Sequence, residues 1–155
     1  MKEIIISELT PENSSGLLVQ LPESGEVYRE DYFYWKGSKQ HLIFQSDSII
    51  TGQLKTWHRE PVFKKLEYHE DYEKFVFVSG NALFPIALMK EGRLCENTFC
   101  VYRILPGTEI VIPPGIAHFM PVAESDEPVC AVVVCPKMPF YHVYLEDEVK
   151  AVKGK

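Results

Sequence analysis

Two short stretches of this 155-residue chain gather side chains that can bind metal ions or move protons. The first reads Glu67-Tyr68-His69-Glu70-Asp71-Tyr72-Glu73, with Gly80 six residues further on. The second runs from Gly107 through Pro113-Pro114-Gly115 to His118. In a strand, side chains two apart share a face, so Glu67 and His69 point to one side and Tyr68 to the other. Glu73 lies beyond a bend at 70–72 and projects from the adjacent antiparallel strand over 74–78. Gly80-Asn81 tolerates positive φ and predicts a hairpin turn. Pro106-Gly107 opens the second unit, and Pro113-Pro114-Gly115 closes it with the type II pattern, glycine third. His118 then starts the next strand. Two hairpins from separate parts of the chain are expected to deliver two imidazoles and two carboxylates to one point.

Two carboxylates offset the double charge of a divalent ion, and two neutral imidazoles complete a set of four ligands: Glu67, His69, Glu73 and His118. This nitrogen and oxygen set suits Mn²⁺, Fe²⁺, Ni²⁺ or Zn²⁺, with no thiolate to single out zinc. An octahedral ion keeps two positions open for a substrate chelate. The alternative is an ion-free pocket in which Glu67 pairs with His69 or with Lys55. Other polar residues carry less. Arg59, in Trp57-His58-Arg59, is a carboxylate clamp or, with more weight, an ordinary solvated arginine. His41 and His142 have no partner at motif spacing and are expected in surface or packing roles. Phe119 and Met120 line the barrel or its mouth.

The elements that must hold these residues are short. Gly, Pro, Asn and Asp punctuate the chain at close intervals, with brief apolar or alternating runs at 17–21, 32–35, 49–54, 75–78, 99–105, 109–112 and 129–135. Nine Phe, eight Tyr and two Trp favour pleated surfaces. The pattern predicts an all-β sandwich or barrel. The run 129–135 is apolar throughout, which fits the middle of a barrel wall or a dimer interface. Helical signals are confined to a turn opening at Thr10-Pro11 and to 144–153, read as a short terminal helix or charged tail.

Lysine and arginine total 16 against 22 acids, a formal charge of −6 with no basic stripe. That balance argues against a nucleic-acid partner. The apolar run at the N-terminus is too short for a signal peptide or a membrane span. The four cysteines lack CxxC spacing and are expected as reduced, mostly core thiols in the cytoplasm, with Cys130 and Cys135 flanking an apolar run.

The second stretch resembles the second motif of the cupin superfamily, Gly-x5-Pro-x-Gly-x2-His-x3-Asn. It matches at Gly107, Pro113, Gly115 and His118 and departs at Val122. The first resembles the first cupin motif, Gly-x5-His-x-His-x3-Glu-x6-Gly. It matches at His69, Glu73 and Gly80 and departs at Pro61 and at Glu67, which stands for the first histidine. Within that superfamily the chain is similar to the ureidoglycolate lyase family. The likeness covers 5–16, the Glu67-x-His69 pair, where that family continues with Gln and this chain has Glu73, and the strand 75–80. Ala117 replaces a tryptophan before the retained His118.

The resemblance implies one cupin domain over 1–155, an antiparallel β-barrel of the double-stranded β-helix, jelly-roll kind, with N-terminal strands in 1–35 and a tail or short helix at 145–155. It implies a lyase or hydrolase acting on a carbon–nitrogen bond of a small carboxylate substrate. The specific reaction would be ureidoglycolate to glyoxylate and urea, in purine catabolism, with Glu73 and His118 in catalytic roles. A sugar isomerase or epimerase and a non-catalytic ligand-binding module remain alternatives. A homodimer is expected, joined through an added N-terminal strand or through the 129–135 sheet, with no membrane partner.

Overall fold

A computed structural model describes residues 1–154, and among them every regular element is a strand. In chain order these are β1 (Lys2–Ile5), β2 (Ser7–Glu8), β3 (Leu18–Gln20), β4 (Glu26–Glu30), β5 (Phe33–Gly37), β6 (Ile49–Thr56), β7 (Val62–Tyr68) and β8 (Glu73–Ser79). They continue with β9 (Ala82–Lys90), β10 (Arg93–Ile104), β11 (Glu109–Ile112), β12 (Ile116–His118), β13 (Val122–Ala123), β14 (Val129–Pro136) and β15 (Tyr141–Val152). Among the described residues no helix is long and apolar enough to cross a membrane.

An eight-stranded sheet runs β1-β15-β7-β12-β9-β10-β2, with β13 also on β9. A five-stranded sheet runs β3-β11-β8-β14-β6, and β4 and β5 pair only with each other. The two large sheets face each other across a core containing Phe75, Phe77, Phe84, Ile86, Ile104, Ile110 and Ile112. Strand alternation puts those residues there: on β8, Glu73, Phe75 and Phe77 are buried while Lys74, Val76 and Val78 face outward. A second apolar cluster, with Phe63, Leu66, Val101 and Leu145, lies on the other face of the larger sheet, which curls so that β10 meets β15 and β1.

The turns around the motifs are not hairpins. β7, β9 and β12 belong to the larger sheet, whereas β8 and β11 belong to the smaller one. Residues 69–72, Gly80-Asn81 and Pro113-Pro114-Gly115 are therefore corners at which the chain changes sheets. Hairpin and corner use the same turn residues, and only the non-local strand partners distinguish them. Gly80 has φ +72 and the chain passes so near Pro128 that a Cβ there would collide with its carbonyl oxygen. Gly115, at φ +87, fits the third position of the type II turn.

Two further expectations are corrected. The C-terminal segment is neither helix nor tail: β15 pairs antiparallel with β7 and parallel with β1. Its buried Leu145 and Val149 sit four apart, a spacing that a helix and a strand both place on one face, and buried Ala151 extends the strand period. Lys155 lies outside the described residues. Near the N-terminus, Thr10 Oγ1 accepts a hydrogen bond from the Asn13 amide at 3.0 Å, as a cap does. Ser15 and Gly16 then take φ of 48° and 89°, and no helix follows.

Candidate metal centre

His69 follows the end of β7, Glu73 opens β8 and His118 ends β12. The larger sheet thus presents His118 and the smaller sheet Glu73, with His69 on the corner between them. All three are buried, with exposures of 5%, 8% and 0% in chain order. Glu73 Oε2 lies 2.8 Å from His69 Nε2 and 3.0 Å from His118 Nε2. The two imidazoles meet edge to face at 4.9 Å, and the Phe84 ring stacks on His118 at 6.1 Å.

The outer nitrogens decide the protonation problem. His69 Nδ1 is 3.0 Å from the Asp71 carbonyl oxygen, and His118 Nδ1 is 3.2 Å from the Ile116 carbonyl oxygen. A carbonyl only accepts, so each Nδ1 carries the hydrogen and donates it. In a neutral ring the Nε2 lone pair is then left facing the Glu73 oxygen. A proton in the contact or a bound cation removes that opposition of lone pairs. A backbone carbonyl holding Nδ1–H is also the usual way a metal-ligating histidine is oriented. One atom from each of the three residues lies within 4.8 Å of the others, and the N₂O set suits a divalent transition ion.

Burial alone would raise the Glu73 pKa, but hydrogen bonds from His118 and His69, together with their charges, bring it down to about 2. Burial alone would lower the pKa of His69. The hydrogen bond to Glu73 and its charge, the Asp71 carbonyl and the charge of Glu67 outweigh that and raise it.

Three of the four expected ligands come together, and Glu67 does not join them. It stands directly opposite His118 on the neighbouring strand, so it shares that wall. Its carboxylate turns instead toward His142 Nε2, 4.0 Å away on the next strand, β15. His142 thus has a partner in Glu67, while the ammonium of Lys55 lies over the Trp57 ring. Spacing in the sequence missed this pair because it depends on the β7–β15 register. Arg59 is exposed and binds the Val62 carbonyl at 3.1 Å.

Two further residues were not legible. Asp71, inside the bend, is buried: its carboxylate accepts from the Tyr72 amide at 2.8 Å and the Gln45 amide at 3.0 Å. It ties the distant 45 segment to the corner that carries His69. Cys135 lies near enough to Glu73 that burial, and then that negative charge, push its thiol pKa up.

No protein-family model matches the chain, and neither does any curated protein. Among solved structures it is similar to RmlC from Streptococcus suis in complex with dTDP-D-xylose, with TM-score 0.51 and 15% identity over 80% of this chain and 66% of that one. It also matches the S161A mutant of Bacillus subtilis oxalate decarboxylase OxdC, with TM-score 0.44 and 16% identity over 63% of this chain. The matched region is 24% of that decarboxylase chain. Both are cupins. The two facing sheets and the likeness to RmlC define a cupin-type all-β barrel. At this level of identity the likeness is one of fold.

Proposed function

We propose that the protein is a metal-dependent small-molecule enzyme in which His69, Glu73 and His118 hold a divalent ion. Its substrate would be a small hydroxy or ureido acid of the ureidoglycolate type. The observation that carries this reading is the convergence of two Nε2 atoms on one carboxylate oxygen, with both Nδ1 hydrogens committed to carbonyls. When bound, the ion would supply Lewis acidity and a template for a 2-hydroxy-carboxylate.

The remaining roles fall to the chain. Cleavage to glyoxylate and urea removes the hydroxyl proton, breaks the carbon–nitrogen bond with its electron pair going to nitrogen, and protonates that nitrogen. A carboxyl held down to about 2 is a poor base at neutral pH, which favours the ligand role for Glu73 in this reading. Glu67, opposite His118 and beside His142, takes the hydroxyl proton in this scheme and returns it to the leaving nitrogen. Packed rings of Phe75, Phe77 and Phe84 fill the core beside the site.

A metal-free ligand-binding module is favoured by a different observation: 2.8 and 3.0 Å are also ordinary hydrogen-bond lengths. Metal analysis of the purified protein and glyoxylate release from ureidoglycolate separate the two. The enzyme reading expects stoichiometric metal, metal-dependent turnover, loss of both in His118→Ala, and loss of turnover with retained metal in Glu67→Gln. Full activity in His118→Ala refutes the centre. Turnover of sugar substrates in place of ureidoglycolate would move the protein to the sugar-processing class.

A further inference from the structure

Where β6 ends, the chain forms a pocket of about 360 Å³ that takes no residue from the metal centre. Lys55, Thr56, Trp57 and Arg59 line it from one stretch of chain, and Met120 with Pro121 from another. Cys130 pairs with both Lys55 and Ser79. This end of the five-stranded sheet therefore lies the length of β8 away from Glu73, roughly 20 Å of strand.

Alternation and register build the pocket. Leu54 packs against the core, so Thr56 points the same way and Lys55 points outward. The segment after β6 is pinned to β13. The Trp57 carbonyl accepts a hydrogen bond from the Ala123 amide at 3.4 Å, and His58 Nδ1 donates to the Ala123 carbonyl at 2.9 Å. The walls are thus held by backbone contacts of the fold and do not wait for a ligand to shape them.

The chemistry of the pocket is one-sided. The chain has 22 acids, and none lines this pocket. Lys55 and Arg59 make no ion pair among the described residues. Arg59 Nη1 donates to the Val62 carbonyl, and its guanidinium carbon stands 5.7 Å from the centre of the Phe63 ring. The group is thereby held in place, while its Nε and Nη2 donors have no partner among the described residues. That edge of a guanidinium is a fork of two parallel donors, which matches a carboxylate. The rest of the lining is apolar and flat. Trp57 is 64% exposed, with the Lys55 ammonium 5.8 Å from its ring centre. In the same lining the Thr56 hydroxyl is shut off from solvent and has no hydrogen-bond partner.

We propose that this pocket is a second binding site, for a planar aromatic carboxylate. Arg59 grips the carboxylate, the ring stacks on Trp57, and Lys55 supplies the second positive charge. The volume suits an acid of one or two rings and lies at the small end for ligand sites. An aliphatic acid would lose the stacking, and an uncharged ring would lose the fork. The site is independent of whether an ion occupies the metal centre.

Calorimetric titration of the whole chain with 2-naphthoate, in chelator, tests the proposal. One molecule should bind per chain. Arg59→Leu and Trp57→Leu should each weaken binding about tenfold or more, as loss of a charge-assisted pair or of a stacked ring does. Lys55→Gln should weaken it less and flatten its dependence on salt. All three side chains are exposed, so the variants should melt as the wild type does. Cyclohexanecarboxylate and 2-naphthylmethanol should both bind about tenfold more weakly than 2-naphthoate, and His118→Ala should bind 2-naphthoate as the wild type does. Absence of saturable binding overturns the proposal. So does affinity indifferent to Arg59, or cyclohexanecarboxylate binding equally well. Loss of binding in His118→Ala would move the acid to the metal centre and overturn it as well.

Discussion

Replacing Glu73 by glutamine in metal-free protein isolates the charge at the centre, since the amide keeps the shape and leaves no cavity. Folding takes the Glu73 carboxyl from an ordinary 4.5 to about 2. At 1.36 kcal/mol per unit this is a contribution of about 3 kcal/mol from the ionised form. Because the folded value is depressed, the contribution is complete above 4.5 and is lost as the pH falls toward 2. His69 behaves oppositely. Its folded pKa is raised, so its share is complete below 6.5 and is lost as the pH rises through the folded value. The difference between wild type and Glu73→Gln should be greatest at pH 5–6 and narrow on both sides. At about 2–4 °C per kcal/mol for a chain of this size, the variant should melt about 6–12 °C lower at its maximum deficit. The assay is thermal unfolding by circular dichroism in chelator from pH 2.5 to 9. A deficit that is constant across that range, or absent at pH 5–6, would refute the argument that Glu73 is held ionised by the two imidazoles.

Manganese at a hundred times its dissociation constant should stabilise the wild type by about 2.7 kcal/mol, read as a rise in melting temperature; His118→Ala should show no rise. Gly80→Ala must force a Cβ into positive φ against the Pro128 carbonyl and should cost about 2 kcal/mol or more, measured by urea unfolding. Ending the chain before Leu145 removes Leu145, Val149 and Ala151 from a core and leaves β1 without its partner, so the truncated chain should lack a cooperative melt. A dispensable tail would leave the melt unchanged.

Much of the barrel was legible in the residues. Period-2 alternation on β8 identifies its inward face, and the glycines at 107 and 115 mark turns wherever their strands pair. Spacing also selected His69, Glu73 and His118, because those positions are set by local geometry: a strand end, the residue after a four-residue corner and the end of the short strand after a turn.

Long-range pairing decided the rest. The sheet in which a strand lies depends on hydrogen bonds to partners tens of residues away, and no local pattern records them. That is why three predicted hairpins are corners, why 144–153 is strand rather than helix, and why Glu67 faces His142 instead of the triad. Asp71 is the same case: its neighbours in sequence mark only a bend, while its carboxylate closes on Gln45, 26 residues away. The sequence by itself determined which side chains are chemically able to bind an ion and which faces of the strands are apolar. Only the tertiary structure decided which of those groups share one carboxylate oxygen, because that is a matter of register between strands and not of spacing along one.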